Sequence, residues 1–263
     1  MGVRKPGTPA QIKCRDYIES ELKKSCEDVH LQPFEHVWSS NGQNLKFWNV
    51  IGEQNWKNAS VRVVLIAHWD TRPTADQETD PEKRKMPIMG ADDGASGVAV
   101  LLELARTLKI SPAKVGVKYL FVDGEDLGPG EPDMYLGAKK FAEDPSSPKP
   151  DYGILLDMIG NRNVHVPEEQ NSVQLAPKLE NAFYDFAGEI GMGGTFPKTP
   201  GYDIEDDHLW LNKGDIPTID LIDFDYAPWH TLADTVDKCS PESLFKIGYV
   251  LEKWLQQPKP FTL

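Results

Sequence analysis

Two periodicities alternate along the chain. Thr8 to Lys24 carries Ile12, Tyr17, Ile18 and Leu22 on one helical face, with Thr8 placed as N-cap and Pro9 at the first helical position. Ala95 to Lys109 is the clearest helix, with Val98, Leu101, Leu102 and Ala105 as its apolar stripe. Tyr135 to Glu143, Leu175 to Ile190 and Pro241 to Leu255 are expected to be helices as well. Between them lie short runs dominated by apolar residues: Phe47 to Ile51, Val61 to Ala67, Val115 to Val122, Tyr152 to Leu156 and Ile216 to Ile222. Runs of this kind are expected of strands buried on both faces.

Strands alternating with helices imply an α/β fold, a mostly parallel central twisted sheet sandwiched between helices. With 263 residues, 40% hydrophobic, and no internal repeat, residues 1–263 are expected to form a single domain. One segment breaks the rhythm. Thr71 to Lys85 is polar, contains proline, is heavily charged and outruns a routine loop, which predicts a lid, a rim or a flexible insertion.

In open α/β sheets the binding crevice lies beyond the carboxyl ends of the strands, so the residues just after each apolar run bear most on function. VVLIA ends in His68-Trp69-Asp70, KYLFV in Asp123-Gly124-Glu125-Asp126 and GILL in Asp157, while IDLI leads through a short loop to Trp229-His230. Asp92-Asp93 immediately precedes the N-cap of the clearest helix. Carboxylates and imidazoles thus converge on one edge of the sheet. Any one of them has a structural reading: a satisfied core histidine, a helix N-terminal carboxylate, a turn former at a strand end. Their coincidence points to a metal, because so many carboxylates in one crevice repel one another unless a cation sits among them.

Zinc takes imidazole nitrogen and carboxylate oxygen and keeps a position open for water or substrate when it is catalytic. Manganese and cobalt suit the same donors. The adjacent acids Glu125 and Asp126 point apart at a strand end, so one can bind metal while the other handles protons. His30, His36 and His165 lack an acidic cluster beside them and are expected to be surface or structural residues. Ser96 is not a nucleophile elbow, since the G-x-S-x-G pattern is incomplete and no strand precedes it. The glycines from Gly90 to Gly97 lack the lysine and the strand of a phosphate loop.

A net charge of -13 and a pI near 4.9 exclude a nucleic-acid or anionic-membrane surface and suit a site that collects cations or peptide ammonium groups. Cys14, Cys26 and Cys239 follow no metal or redox spacing and read as ordinary thiols, with a Cys14–Cys26 bridge left open for an oxidising compartment. No run approaches the roughly 18 apolar residues of a membrane span. Met1 to Thr8 lacks the apolar core of a signal peptide. An export signal removed ahead of Met1-Gly2 leaves the compartment open, secreted or periplasmic included. A monomer is expected.

In combination these motifs resemble the zinc aminopeptidases of the bacterial leucyl type and the related glutaminyl-peptide cyclotransferases, from PGTPAQIKCRDYI near the start to WHTLADT near the end. HWD carries His68, GADDGASG carries Asp93, DGEDLG carries Glu125 and Asp126, LLDMIG carries Asp157 and WHT carries His230. In the aminopeptidase branch the resemblance implies two zincs, with Asp93 bridging, His68 and Asp157 on one metal, and Asp126 and His230 on the other. In the cyclase branch it implies one zinc on Asp93, Asp126 and His230, with the remaining positions in a hydrogen-bond network.

IEDDH, with Asp206 as a substrate-contacting acid, LLDMIG and Trp229 beside the last histidine all resemble the cyclases. Three features depart from the animal enzymes: Asp126 replaces a metal-binding Glu, Asp220 stands where a histidine is expected, and LGPGEPDMYLG lacks an expected tryptophan. The resemblance implies cyclisation of a peptide or protein N-terminal glutamine to pyroglutamate. Glu125 would move the proton, Asp206 and Asp157 would orient the amine and the departing ammonia, and Trp229 would wall the pocket. The alternative is two-metal hydrolysis of N-terminal residues with Glu125 as general base.

Overall fold

The computed structural model describes residues 2–109, 114–145 and 148–263. Six strands form one sheet: β1 (Asp28–Val37), β2 (Asn44–Gln54), β3 (Val61–His68), β4 (Val115–Val122), β5 (Tyr152–Asp157) and β6 (Thr218–Ile222), in the spatial order β1-β2-β4-β3-β5-β6. β4, β3, β5 and β6 run parallel, whereas β2 is antiparallel to both β4 and β1. The expected parallel sheet is this four-strand half, and an antiparallel hairpin extends it at one edge. β1 is not legible in the sequence: DVHLQPFEHV has few apolar residues and an internal Pro33, and no residue in it is fully buried. Such a strand is tolerated at an edge, where it needs only one partner.

Among the described residues the α-helices are α1 (Pro9–Leu22), α2 (Ala95–Thr107), α3 (Leu136–Glu143), α4 (Gln170–Leu175), α5 (Pro177–Glu189), α6 (Asp207–Lys213) and α7 (Pro241–Leu255). Side chains of a strand alternate between faces, and the central strands divide theirs between two cores. Val63, Leu65 and Ala67 of β3 and Val117, Tyr119 and Phe121 of β4 pack with α1, α2, α5 and α7. Val64, Ile66, Leu120 and Val122 pack with α3 and α6 on the other face. Both faces being covered explains why β4, β5 and β6 are buried at every position.

The helices differ from the expected ones in detail. In α1 the buried face is Gln11, Cys14, Ile18 and Leu22, while Ile12 is only half-buried and Tyr17 is exposed. Gln11 is a polar residue that apolar periodicity overlooks; it is buried because its amide donates to Asp123 Oδ2 at 2.9 Å and to the Lys46 carbonyl at 3.2 Å. In α2 Val100 and Leu104 lie against the core with Leu101 and Ala105, and Val98 and Leu102 are partly buried. Gly97 sets its approach, since a Cβ there would fall 2.5 Å from the Leu156 carbonyl oxygen of β5. Pro177 starts α5, so the helix expected from Leu175 begins two residues later, and Leu175 instead ends the short α4 ahead of it. The seven-residue α6 has too few turns for a period to be read.

All three cysteines are free thiols, so Cys14 and Cys26 do not bridge. Among the described residues no helix is long and apolar enough to cross a membrane.

Candidate active site

Parallel strands present their carboxyl ends along one edge, and the predicted donors sit there. His68 is the last residue of β3 and Asp157 the last of β5. Glu125 and Asp126 follow β4, Asp93 lies in the turn before α2, and His230 lies in the loop after β6. All six are buried. Their ligand atoms form three sets, each with every atom within 4.8 Å of the others: Asp93, Asp126 and His230; His68, Asp93 and Asp157; and His68, Glu125 and Asp126.

Asp93 joins the first two sets through separate oxygens. Its Oδ1 is 3.1 Å from His68 Nε2 and its Oδ2 is 3.4 Å from His230 Nε2. Asp157 Oδ1 also reaches His68 Nε2 at 3.1 Å, and Asp126 Oδ1 lies 3.4 Å from His230 Nε2. The backbone turn leaves room for this convergence only with glycine at position 94, where a Cβ would meet His68 Nε2 at 2.1 Å. Among the described residues the buried Asp126 Oδ2 has no hydrogen-bond partner. A buried carboxylate oxygen left without a donor is costly, and a cation placed among these nitrogens and oxygens would satisfy it. The donor set fits zinc.

Several further residues buttress the donors. Asp70 accepts the backbone N–H groups of Glu125 and Asp126, one on each oxygen, both at 3.2 Å. Asp234 accepts those of Asp92 and Asp93 at 2.9 and 3.3 Å and is itself held by the Tyr226 hydroxyl at 2.8 Å. Arg72 and Asp76 come from the charged segment 71–85. Arg72 Nη1 donates to Asp126 Oδ1 at 3.2 Å, and Asp76 Oδ1 lies 3.0 Å from His230 Nδ1. That segment therefore reaches into the site; its acids look alike in sequence, and only the fold singles out Asp76.

The charged neighbourhood moves the carboxyl groups apart. Burial and then the charge of Asp126 push Glu125 well above the usual carboxylate range. Burial, reinforced by Asp126 and opposed by the two histidines, raises Asp93 to about 6. Burial also opposes the ionised form of Asp126, but His230 and then Arg72 outweigh it and hold that carboxyl below its ordinary value. His230 is lifted to about 10 against burial, chiefly by Asp126, with Asp76 and Asp93 adding.

Asp206 is the N-cap of α6, accepting the Asp207 N–H at 2.5 Å. It is buried, and burial together with the charges of Asp157 and Asp207 pushes its carboxyl well up. The charges of Asp206 and Asp207 also add to the shift of Glu125, and Glu125 and Asp157 face opposite nitrogens of the His68 ring, Glu125 Oε2 3.7 Å from Nδ1 and Asp157 Oδ1 3.1 Å from Nε2. Asp220 lies deeper, 3.8 Å from the buried His208 ring, which also faces Glu169 at 3.2 Å. His30 and His36 pair with Asp28 and Asp133 away from the donors, and His165 belongs to none of the three sets.

Trp229 is half-buried and stacks on His230 with ring centroids 4.2 Å apart and an interplanar angle of 24°; Phe224 meets its other neighbours at 5.0 Å from Trp229 and 5.7 Å from Tyr202. These rings, with Tyr135, Ile204 and Arg72, line a cleft of about 440 Å³ that opens onto His230.

The model of "Peptidase family M28" matches residues 49–255. A glutaminyl-peptide cyclotransferase-like protein of Mus musculus is 26% identical over 287 residues, covering 97% of this chain and 72% of that protein. The crystal structure of Tannerella forsythia glutaminyl cyclase is 36% identical with a TM-score of 0.88, covering 98% of this chain and 94% of the other. That of a Zn-dependent exopeptidase from Parabacteroides distasonis is 35% identical with a TM-score of 0.89, covering 97% and 93%.

Proposed function

Because the chain belongs to peptidase family M28, whose model spans most of its length, we propose that it is a zinc-dependent glutaminyl-peptide cyclotransferase that converts the N-terminal glutamine of peptides to pyroglutamate with release of ammonia. Residues 1–263 serve as one catalytic unit. The observation that carries this reading is that the buried acids Glu125 and Asp157 flank the two nitrogens of the His68 ring beside the donor set, with a third buried acid, Asp206, at the start of α6. Cyclisation passes through an attacking α-amine and a departing ammonia, both nitrogen bases that take up positive charge, and buried carboxylates are their natural partners. The similarity to a glutaminyl-peptide cyclotransferase-like protein of Mus musculus and to the glutaminyl cyclase of Tannerella forsythia supports the same reading.

Asp93, Asp126 and His230 are the residues that would hold zinc. When bound, the metal supplies Lewis-acid polarisation of the side-chain amide carbonyl. Asp206 orients the α-amine, which attacks the amide carbon and forms the ring C–N bond. Glu125, whose carboxyl burial pushes above the usual carboxylate range, takes the proton from that nitrogen and delivers it to the amide nitrogen as its C–N bond breaks. Asp157 receives the leaving ammonia. Trp229, stacked on His230, forms the apolar wall that holds the glutamine side chain in place.

The rival reading is a two-metal aminopeptidase, favoured by the way Asp93 turns one oxygen to each histidine. His68 and Asp157 would then hold the second zinc. Side-by-side assays on a glutaminyl and a leucyl peptide amide separate the two. Ammonia and pyroglutamyl peptide are expected from the first and no free leucine from the second; leucine release with two bound zincs would sink the cyclase reading. Glu125→Gln is expected to lower kcat by about 10²–10⁴-fold with the fold intact. Turnover within a few-fold of the parent would remove Glu125 from its assigned role.

A further inference from the structure

Arg72, Asp76, His230 and Asp126 close a ring of contacts. Arg72 donates to Asp76 Oδ2 through Nε at 3.1 Å and Nη2 at 2.8 Å, and its Nη1 reaches Asp126 Oδ1 at 3.2 Å. Asp76 Oδ1 faces His230 Nδ1 at 3.0 Å, and His230 Nε2 returns to Asp126 Oδ1 at 3.4 Å. Backbone contacts clamp the same segment onto the histidine loop: the Gln77 N–H donates to the His230 carbonyl at 3.2 Å, and the Leu232 N–H to Glu78 Oε1 at 3.1 Å. The guanidinium is itself confined, since a Cβ on Gly128 would lie 2.6 Å from Nη1.

His68 is held less closely on its far nitrogen. Its buried Nδ1 has no hydrogen bond among the described residues and faces two carboxylates at longer range, 3.6 Å from Asp70 and 3.7 Å from Glu125. A carboxylate on the far nitrogen of a ligating imidazole fixes its tautomer and raises its basicity. An arginine fork across two carboxylates fixes their planes in a way that a lysine ammonium cannot.

We infer that Arg72 and Asp76 are positioning residues that preorganise Asp126 and His230 for metal, making the Asp93, Asp126 and His230 set a tighter metal position than the His68, Asp93 and Asp157 set. The inference rests on the zinc reading above but not on which reaction the enzyme performs. The segment 71–85 is then a strap that builds the metal site, and metal affinity depends on residues that never touch the ion.

Zinc affinity of the full-length chain, measured by competition with a chromophoric chelator, tests this. Asp76→Asn and Arg72→Met are expected to weaken the tightest zinc by about 10–100-fold. Added zinc should restore kcat in Asp76→Asn with KM unchanged. His68→Ala is expected to leave the tightest affinity within about threefold, because that residue is not one of the three donors Asp93, Asp126 and His230. Circular dichroism of the zinc-free proteins separates a folding defect from a metal defect. If Arg72→Met does not fold, Arg72→Lys decides, with an expected loss of about threefold to tenfold because the charge stays and the fork goes. Folded strap variants that bind zinc like the parent, or a His68→Ala variant that loses the tightest zinc, would overturn the inference. Strap variants that weaken zinc in a chain that cyclises no glutaminyl peptide would leave it standing and defeat the proposed reaction alone.

Discussion

Glu180 on α5 is 1% exposed, and among the described residues neither of its carboxylate oxygens has a hydrogen-bond partner. Burial, then the charges of Glu168 and Glu169, push its carboxyl well above the usual range. The folded chain therefore keeps a proton there that the unfolded chain releases above the ordinary value of 4.5. Stability is lost as the pH climbs from that value toward the folded pKa, because the native state binds the extra proton. Glu180→Gln preserves the shape and removes the loss. It is expected to stabilise the protein by about 1–3 kcal/mol at about pH 8 and to change little at about pH 4. Thermal melts at both pH values check this, and an equal gain at both would contradict it. The site residues obey the same physics with the opposite outcome: where Glu180 is alone, Asp126 has His230 and Arg72 to hold it ionised.

Helices and strands deliver the site through their ends. β3 and β5 terminate in His68 and Asp157, and α6 begins at the capping Asp206. α2 matters because it anchors the Asp93 turn, and its depth is set by Gly97 against the Leu156 carbonyl. Gly97→Val is expected to push α2 off β5, destabilising the fold by about 1–3 kcal/mol and weakening metal binding through the displaced Asp93. Denaturant melts and zinc competition check it; a variant with the parent's midpoint and affinity would show that the helix has slack. The elements legible from periodicity are those with enough length to repeat, α2 and α7 among them. β1 and α6 are short of apolar residues or of turns, and their places come from partners distant in sequence.

Charge acts over the whole molecule. The chain carries a net -13, and exposed Asp203 and Glu205 stand at the cleft beside His230. Arg72 is the cleft's arginine, and its fork is already committed to Asp76 and Asp126. On the proposed function, a peptide with lysine after its glutamine is expected to show a kcat/KM about threefold to tenfold above its glutamate counterpart at low salt. The gap should close as ionic strength rises and the Debye length shrinks. Steady-state kinetics at two salt concentrations test this, and a salt-independent ratio would place the preference in direct contacts instead.

Much of this architecture is written in local patterns. Continuous apolar runs and helical spacing marked the parallel strands and the long helices, and the polar residues ending the apolar runs marked His68, Glu125, Asp126 and Asp157, because each is a property of a few consecutive residues and parallel strands must end at one edge. Asp93 and His230 were legible as motifs in turns. The tertiary structure alone decided that a hairpin completes the sheet, that Gln11 is inside while Tyr17 is out, and that Arg72 and Asp76 grip Asp126 and His230. Asp76 and His230 stand 154 residues apart, and a contact across that span is made by packing, which leaves no period or spacing in the chain for a reader to find.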